Sequence, residues 1–268
     1  MLKIVLIALL ALEVVCVPLF LKYYWPKRCK KSLTMKTVSS IIFITIAVVC
    51  KLMAGNEAQY ATYIILGLIF GMLGDVLLHW LKGTILTFGG GVILFLIGHV
   101  FYITAFDKAI ETTHAGGCEA SATARTVMLV IGAVAIVAIA ALLYVRKVFK
   151  GKEYYIIAAI IYGAVLFSML AKAVELAVVL WEFYEPGVVY VVGKLEEWQV
   201  AMAAVLGGSI LFVISDLLLG FMIQREHGKR QKEPVKALRC INIYTYYIAQ
   251  IIFALSILIL PYGIGWAA

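Results

Sequence analysis

Charge is what this sequence has least of. Only 14% of its 268 residues are charged while 64% are apolar, against about 25% charged in a soluble domain. Its mean hydropathy is +1.03. A surface bathed in water needs more polar cover than that, so a soluble enzyme and a disordered chain are both excluded. Cysteine is thin as well. Cys16, Cys29, Cys50, Cys118 and Cys240 lie far apart with no C-x-x-C, which excludes a disulfide scaffold and leaves free thiols. The metal-binding patterns H-x-x-x-H and H-E-x-x-H are missing too, and no cofactor is expected.

What is present is a series of apolar blocks near the length that crosses about 30 Å of hydrocarbon as helix. Eight can be drawn, at roughly 3–21, 35–54, 60–80, 86–106, 125–145, 154–180, 199–222 and 240–260. The first is too long for the apolar part of a signal peptide, and no small-x-small site precedes the basic run Lys27, Arg28, Lys30, Lys31. It is read as a retained span. The expectation is an all-α polytopic membrane protein of about eight transmembrane helices, forming a single transmembrane domain over residues 1–268.

The basic residues are one-sided. Of the 23 Lys and Arg, seventeen fall on the loops after spans 1, 3, 5 and 7 or their edges, while the opposite loops carry acids such as Glu57, Asp107, Glu182 and Glu185. The positive-inside rule then puts the basic loops in the cytoplasm and both termini outside. It also reads the net charge of +8 as topology and contact with anionic membrane lipids, with no nucleic-acid partner.

The chain contains a parallel internal repeat. Gly67-Leu-Ile-Phe-Gly-Met-Leu-Gly-Asp75-Val-Leu-Leu78 aligns without gaps on Gly208-Ser-Ile-Leu-Phe-Val-Ile-Ser-Asp216-Leu-Leu-Leu219. Glycine and aspartate are among the five identities. The copies lie on spans 3 and 7, four spans apart, so spans 3-4 and 7-8 run in the same direction.

Ionisable groups inside a span cost several kcal/mol and mark function. Here they are Glu13, Asp75, His79, His99, Lys172, Glu175 and Asp216. Counting a rise of 1.5 Å per residue, Asp75 and Asp216 sit about 8 and 9 Å from the cytoplasmic ends of their helices, a depth that lets them face one cavity. Lys172 and Glu175 are spaced as a self-neutralising pair, and Glu13 is expected to pair or snorkel. Asp75-x-x-x-His79 has metal-ligand spacing, and His99 and Asp216 can complete such a site, but no full ligand motif is present and no metal is expected. Gly89, Gly90 and Gly91 are expected to loosen span 4, which goes on to His99 and Tyr102. On span 8, Asn242, Tyr246 and Gln250 recur every four residues as one polar stripe.

These residues resemble the YhhN family of integral membrane lysoplasmalogenases. The likeness rests on Gly74-Asp75 in its leucine-rich setting, His99-x-x-Tyr102, Phe212-Val-Ile-Ser-Asp216 and Tyr246-Tyr247-x-Ala-Gln250, in order along spans 3 to 8. The resemblance implies an eight-span fold and hydrolysis of the vinyl-ether bond of a lysophospholipid substrate, lysoplasmalogen. The products are a fatty aldehyde and glycerophospho-ethanolamine or -choline. It implies catalytic roles for Asp75 and Asp216, and substrate-binding roles for His99, Tyr102, Tyr246 and Gln250, with Tyr247 beside them.

The residues suit that chemistry. Enol-ether hydrolysis needs a proton delivered to carbon, stabilisation of an oxocarbenium ion and attack by water, and two carboxyl groups divide such work in glycosidases. Ser215 is expected to donate to Asp216 and keep it ionised, leaving Asp75 as the proton donor. Asn242 would line the cavity, and Lys82, Arg225 or Lys229 would hold the phosphate. Two alternatives remain at this level: a transporter with paired intramembrane acids, and a metal-dependent lipid hydrolase using Asp75, His79 and His99. The topology is open to a direct test. A cysteine engineered into the loop at 223–239 should resist an impermeant thiol reagent added outside intact cells; efficient labelling there would invert the orientation.

Overall fold

The computed structural model describes residues 1–25, 28–54, 59–80, 84–112, 119–149, 154–182, 191–192, 195–227 and 235–263. They form eight helices: α1 (Leu2–Tyr24), α2 (Lys30–Ala54), α3 (Gln59–Leu78), α4 (Ile85–Thr112), α5 (Glu119–Val145), α6 (Tyr154–Glu182), α7 (Glu197–His227) and α8 (Lys236–Gly263). Each contains a stretch long and apolar enough to cross a membrane. Helix is the form such segments must take, because hydrocarbon offers no outside partner for backbone N–H and C=O groups. The only strands among the described residues are a two-residue antiparallel ladder, Val191–Val192 against Leu195–Glu196. The chain is an all-α, multi-pass integral membrane protein.

Boundaries depart from the apolar blocks in instructive ways. Helix α3 stops at Leu78, whereas α7 continues to His227, because Gln224, Arg225 and Glu226 are good helix formers that need no hydrocarbon. Depth counted from helix ends therefore differs for Asp75 and Asp216, although both reach the same cleft. Helix α4 runs unbroken through Gly89, Gly90 and Gly91, with Gly91 packed on Leu78. Gly90 and Gly91 supply close packing, against Leu77 and Leu78, while a Cβ on Gly89 would meet nothing within 4 Å.

Consecutive helices pair as α1/α2, α3/α4, α5/α6 and α7/α8, and further contacts α2/α3, α4/α6, α6/α7 and α2/α8 close a ring. Around the ring the order is α2, α3, α4, α6, α7, α8. Helix α1 lies outside against α2, and α5 outside against α6. Shifting every label by four turns α1/α2 into α5/α6, α2/α3 into α6/α7, α3/α4 into α7/α8 and α2/α8 into α6/α4. The parallel repeat thus extends from two hairpins to both halves of the chain.

The repeated glycine has a physical reason. A Cβ on Gly67 would sit 2.3 Å from the Tyr102 ring of α4, and one on Gly208 would sit 2.8 Å from the Phe253 ring of α8. In each half an aromatic side chain lies directly on the backbone of the preceding helix, an approach open only to the smallest residues.

At the end of the bundle away from the cleft described below, Lys172 bridges Asp107 on α4 and Glu175 on its own helix, while Arg125 on α5 reaches Glu175 at 2.8 Å. The anticipated Lys172/Glu175 pair is therefore half of a neutral four-residue network. It ties α5, the most lipid-exposed helix, to the ring. Among the described residues Glu13 makes no ion pair and does not snorkel: it is buried in α1, facing Ser39 of α2. The described cysteines Cys16, Cys29, Cys50 and Cys240 are free.

The glycine contact yields a stability prediction. Gly208→Ala should destabilise the protein by about 1–3 kcal/mol, the usual range for overpacking. Gly207→Ala, whose Cβ would meet nothing within 4 Å, should change stability by no more than about 0.5 kcal/mol. Unfolding midpoints in matched detergent give the comparison; equal midpoints would remove the close-packing account of the repeat.

Candidate active site

A cleft of about 620 Å³, counted out to its open mouth, enters the bundle where α1, α3 and α7 run toward the basic loops and α2 and α8 begin. Both repeat-related aspartates, Asp75 and Asp216, stand in its wall. Apolar and aromatic side chains, among them Phe20, Leu78, Phe95 and Leu219, make up much of the remainder. The combination of apolar walls with a few convergent polar groups is that of a small-molecule site.

Asp75 is almost fully buried and surrounded by donors. The Lys36 ammonium of α2 lies 2.8 Å from Oδ1. The Ser40 hydroxyl, one turn further along α2, donates to Oδ2 at 3.1 Å, and the Tyr246 hydroxyl of α8 donates to the same oxygen at 2.9 Å. An ammonium and two hydroxyl donors thus converge on this one carboxyl group. Behind Tyr246, Tyr102 donates to Gln250 Oε1 at 2.7 Å.

Asp216 is held differently. Tyr162 of α6 donates to Oδ2 at 2.6 Å, and His99 Nε2 of α4 faces the same oxygen at 3.5 Å. The other ring nitrogen, His99 Nδ1, lies 2.6 Å from the Phe95 carbonyl, which can only accept, so Nδ1 carries a hydrogen. Nε2 makes no hydrogen bond among the described residues, so the imidazole stands beside the Asp216 carboxyl group as a close neighbour without being bonded to it.

The polar stripe of α8 faces inward as expected, to three different neighbours: Tyr246 to Asp75, Gln250 to Tyr102, and Asn242 to Ser215. Tyr247 lines the cleft and donates to the Lys36 carbonyl at 3.3 Å. The expected Ser215–Asp216 bond is not made. The Ser215 hydroxyl donates to the Asn242 carbonyl at 3.2 Å, and Asn242 Nδ2 donates to the Ser215 carbonyl and hydroxyl oxygens at 2.7 and 3.0 Å. On a helix, Ser215 and Asp216 point about 100° apart. With that bond gone, the reason for assigning the proton to Asp75 goes too.

His79, one residue past α3, places Nε2 2.8 Å from Ser32 Oγ and packs edge-on against Phe20 and Tyr24. Burial, and then the charges of Lys36, Arg28 and Arg239, hold its imidazole well below its ordinary pKa, so it is neutral. Among the described residues no three His, Cys, Asp or Glu side chains gather as metal ligands. Arg225 is not among the residues lining the cleft. Lys82 and Lys229 lie outside the described residues.

Lys36, Ser40 and Tyr162 were not singled out from the sequence. Lys36 and Ser40 carried a usable signal, being a lysine and a serine one turn apart on the first turns of an apolar span. Tyr162 carried none, because one tyrosine among isoleucines and alanines looks like packing.

No curated protein and no solved structure matches this chain. The model of the YhhN family matches residues 31–257, a stretch that contains every side chain described above as touching Asp75 or Asp216. The chain belongs to the YhhN family.

Proposed function

We propose that this protein hydrolyses the vinyl-ether bond of lysoplasmalogen, releasing a fatty aldehyde and a glycerophospho-alcohol. One observation carries the reading: two aspartates share the wall of one cleft, one met by an ammonium and two hydroxyl donors and the other by a phenol and an imidazole. Pairs of acids set apart in this way divide acid and charge-stabilising roles. Family membership supports a membrane protein of this kind.

The steps follow from the residues. Asp216, beside His99, protonates the alkene carbon distal to the ether oxygen. The bond becomes an oxocarbenium ion, whose positive charge the Asp75 carboxylate stabilises. Water adds to the carbon bearing oxygen and gives up a proton to Asp216, which restores it. The hemiacetal then collapses to aldehyde and free glycerol hydroxyl. Lys36 and Tyr246 position Asp75, and Tyr162 positions Asp216. The cleft opens among the basic loops assigned to the cytoplasm, at the level where a vinyl ether next to glycerol would lie.

The test is aldehyde release by purified protein in lipid. Asp75→Asn and Asp216→Asn keep size and remove ionisation. Each should reduce turnover by at least about 10²-fold, the lower range of general acid–base catalysis, with the fold intact by thermal midpoint. The double variant should be little worse than the worse single one, as for residues acting as a unit. Near-wild-type turnover by either single variant would sink the pair. Activity should also survive exhaustive chelation; one zinc per chain, lost together with activity, would move the reading to a metallohydrolase.

A further inference from the structure

On α3, Gly67, Gly71 and Asp75 follow one another at intervals of four and so lie on one helical face. Side chains of α4 and α8 meet that face in register. The Tyr102 ring rests on Gly67, and a Cβ on Gly71 would stand 3.1 Å from Gln250 Nε2 and 3.4 Å from the Tyr246 hydroxyl. Tyr246 then reaches Asp75 Oδ2 at 2.9 Å. The family resemblance implies substrate contact for Tyr102 and Gln250, yet both are fully buried and neither lines the cleft, whereas Tyr246 and Asp75 do. Phe212 and Phe253 pack on the Tyr102 ring, and Phe212 and Phe95 on that of Tyr246. The two phenols thus sit among apolar rings, where a hydrogen bond is stronger than in water. The hydrogens on this face run in one direction. Tyr102 donates to Gln250 Oε1 at 2.7 Å, an amide oxygen that can only accept. That turns the amide donor, Nε2, toward the Tyr246 hydroxyl. A hydroxyl oxygen facing an N–H donor keeps its own hydrogen for the carboxyl group.

We propose that Tyr102 and Gln250 are positioning residues, a buried relay that fixes the Tyr246 hydroxyl as a donor to Asp75. They act through Tyr246 and do not touch the substrate. Without the Tyr102 hydroxyl, nothing in the relay holds Oε1 on that side. An amide turned over would present Oε1 to Tyr246 and draw its hydrogen away from Asp75. Lys36 and Ser40 hold the carboxyl group from α2, and the relay serves the opposite side, from α4 and α8. What Asp75 does for the substrate rests on the lysoplasmalogen proposal above; the relay that aims Tyr246 does not.

Infrared difference spectra of full-length protein in lipid nanodiscs decide it, the Asp75 carboxyl band being the one that Asp75→Asn removes. Tyr246→Phe should displace that band. Tyr102→Phe keeps the ring on Gly67 and removes only the far hydroxyl; it should displace the band in the same direction by a smaller amount. Tyr60→Phe is the control. Its hydroxyl is equally buried but is paired with Ser256 at 2.6 Å, outside the relay, and the band should stay in place. A band in Tyr102→Phe coincident with that of the wild type overturns the proposal, as does a band that Tyr246→Phe leaves unmoved or that Tyr60→Phe moves as far as Tyr102→Phe. Should Tyr102→Phe fail to fold, Gln250→Met, of similar length and unable to donate to Tyr246, decides by the same criterion. Aldehyde release is scored separately. In Tyr102→Phe kcat should fall about three- to tenfold, the net contribution of one hydrogen bond, with KM unchanged. A raised KM at unchanged kcat makes Tyr102 a substrate contact and sinks the positioning role. A displaced band in a protein that releases no aldehyde rejects the lysoplasmalogen reading and keeps the relay.

Discussion

An ionisable carboxyl group inside a membrane has to be met by donors from the protein, and this bundle meets that demand twice. Asp75 is gripped by α2 and α8, and Asp216 by α6 and α4. Under the four-helix shift that relates the halves, α2 corresponds to α6 and α8 to α4. Each aspartate thus stands on the third helix of its own half. It is held by the second helix of that half and by the fourth helix of the other. Ring closure and the burial of the acids are therefore one event. The contacts that carry one half onto the other, α2/α8 and α4/α6, are also those that deliver Tyr246 and His99 to the carboxylates.

The scaffold repeats while the chemistry does not. On the Asp75 side the second helix supplies an ammonium and a hydroxyl, and the fourth supplies a phenol. Opposite, the second supplies a phenol and the fourth an imidazole. A perfectly duplicated site would place two identical acids together, and neither would be committed to giving or withholding a proton. A phenol in place of the ammonium on the second helix, and an imidazole in place of the phenol on the fourth, remove that symmetry. Asp75 is left facing an ammonium, and Asp216 an imidazole.

Much of this was legible before any coordinates. Apolar block length specified eight helices, because hydrocarbon permits little else. The repeat named both aspartates, since an acid in a span is too costly to be incidental. Contacts between helices were the part that local pattern could not supply. Lys36 looked like a loop charge because it lies at a span's edge. Ser215 looked like a partner because it is adjacent in sequence, where helix geometry turns adjacent side chains apart. Tyr162 was invisible until α6 was known to lie against α7. The phosphate was expected at Lys82, Arg225 or Lys229, while the described cations lining the cleft are Arg28, Lys36 and Arg239.

The cleft also shows where the halves stop being equivalent. Helix α1 reaches its wall with Phe20 and Tyr24, whereas its counterpart α5 contributes no side chain to it and faces outward along nearly all its length. The family match begins at residue 31, after Phe20, Tyr24 and Arg28 and before Lys36. The boundary divides the site by role. The groups that hold the two acids all lie inside the matched region. Part of the mouth, at Phe20, Tyr24 and Arg28, is built from residues before it. A change in α1 reshapes the entrance without touching a group bonded to either carboxylate, and a change on α2, α4, α6 or α8 at those groups does the reverse.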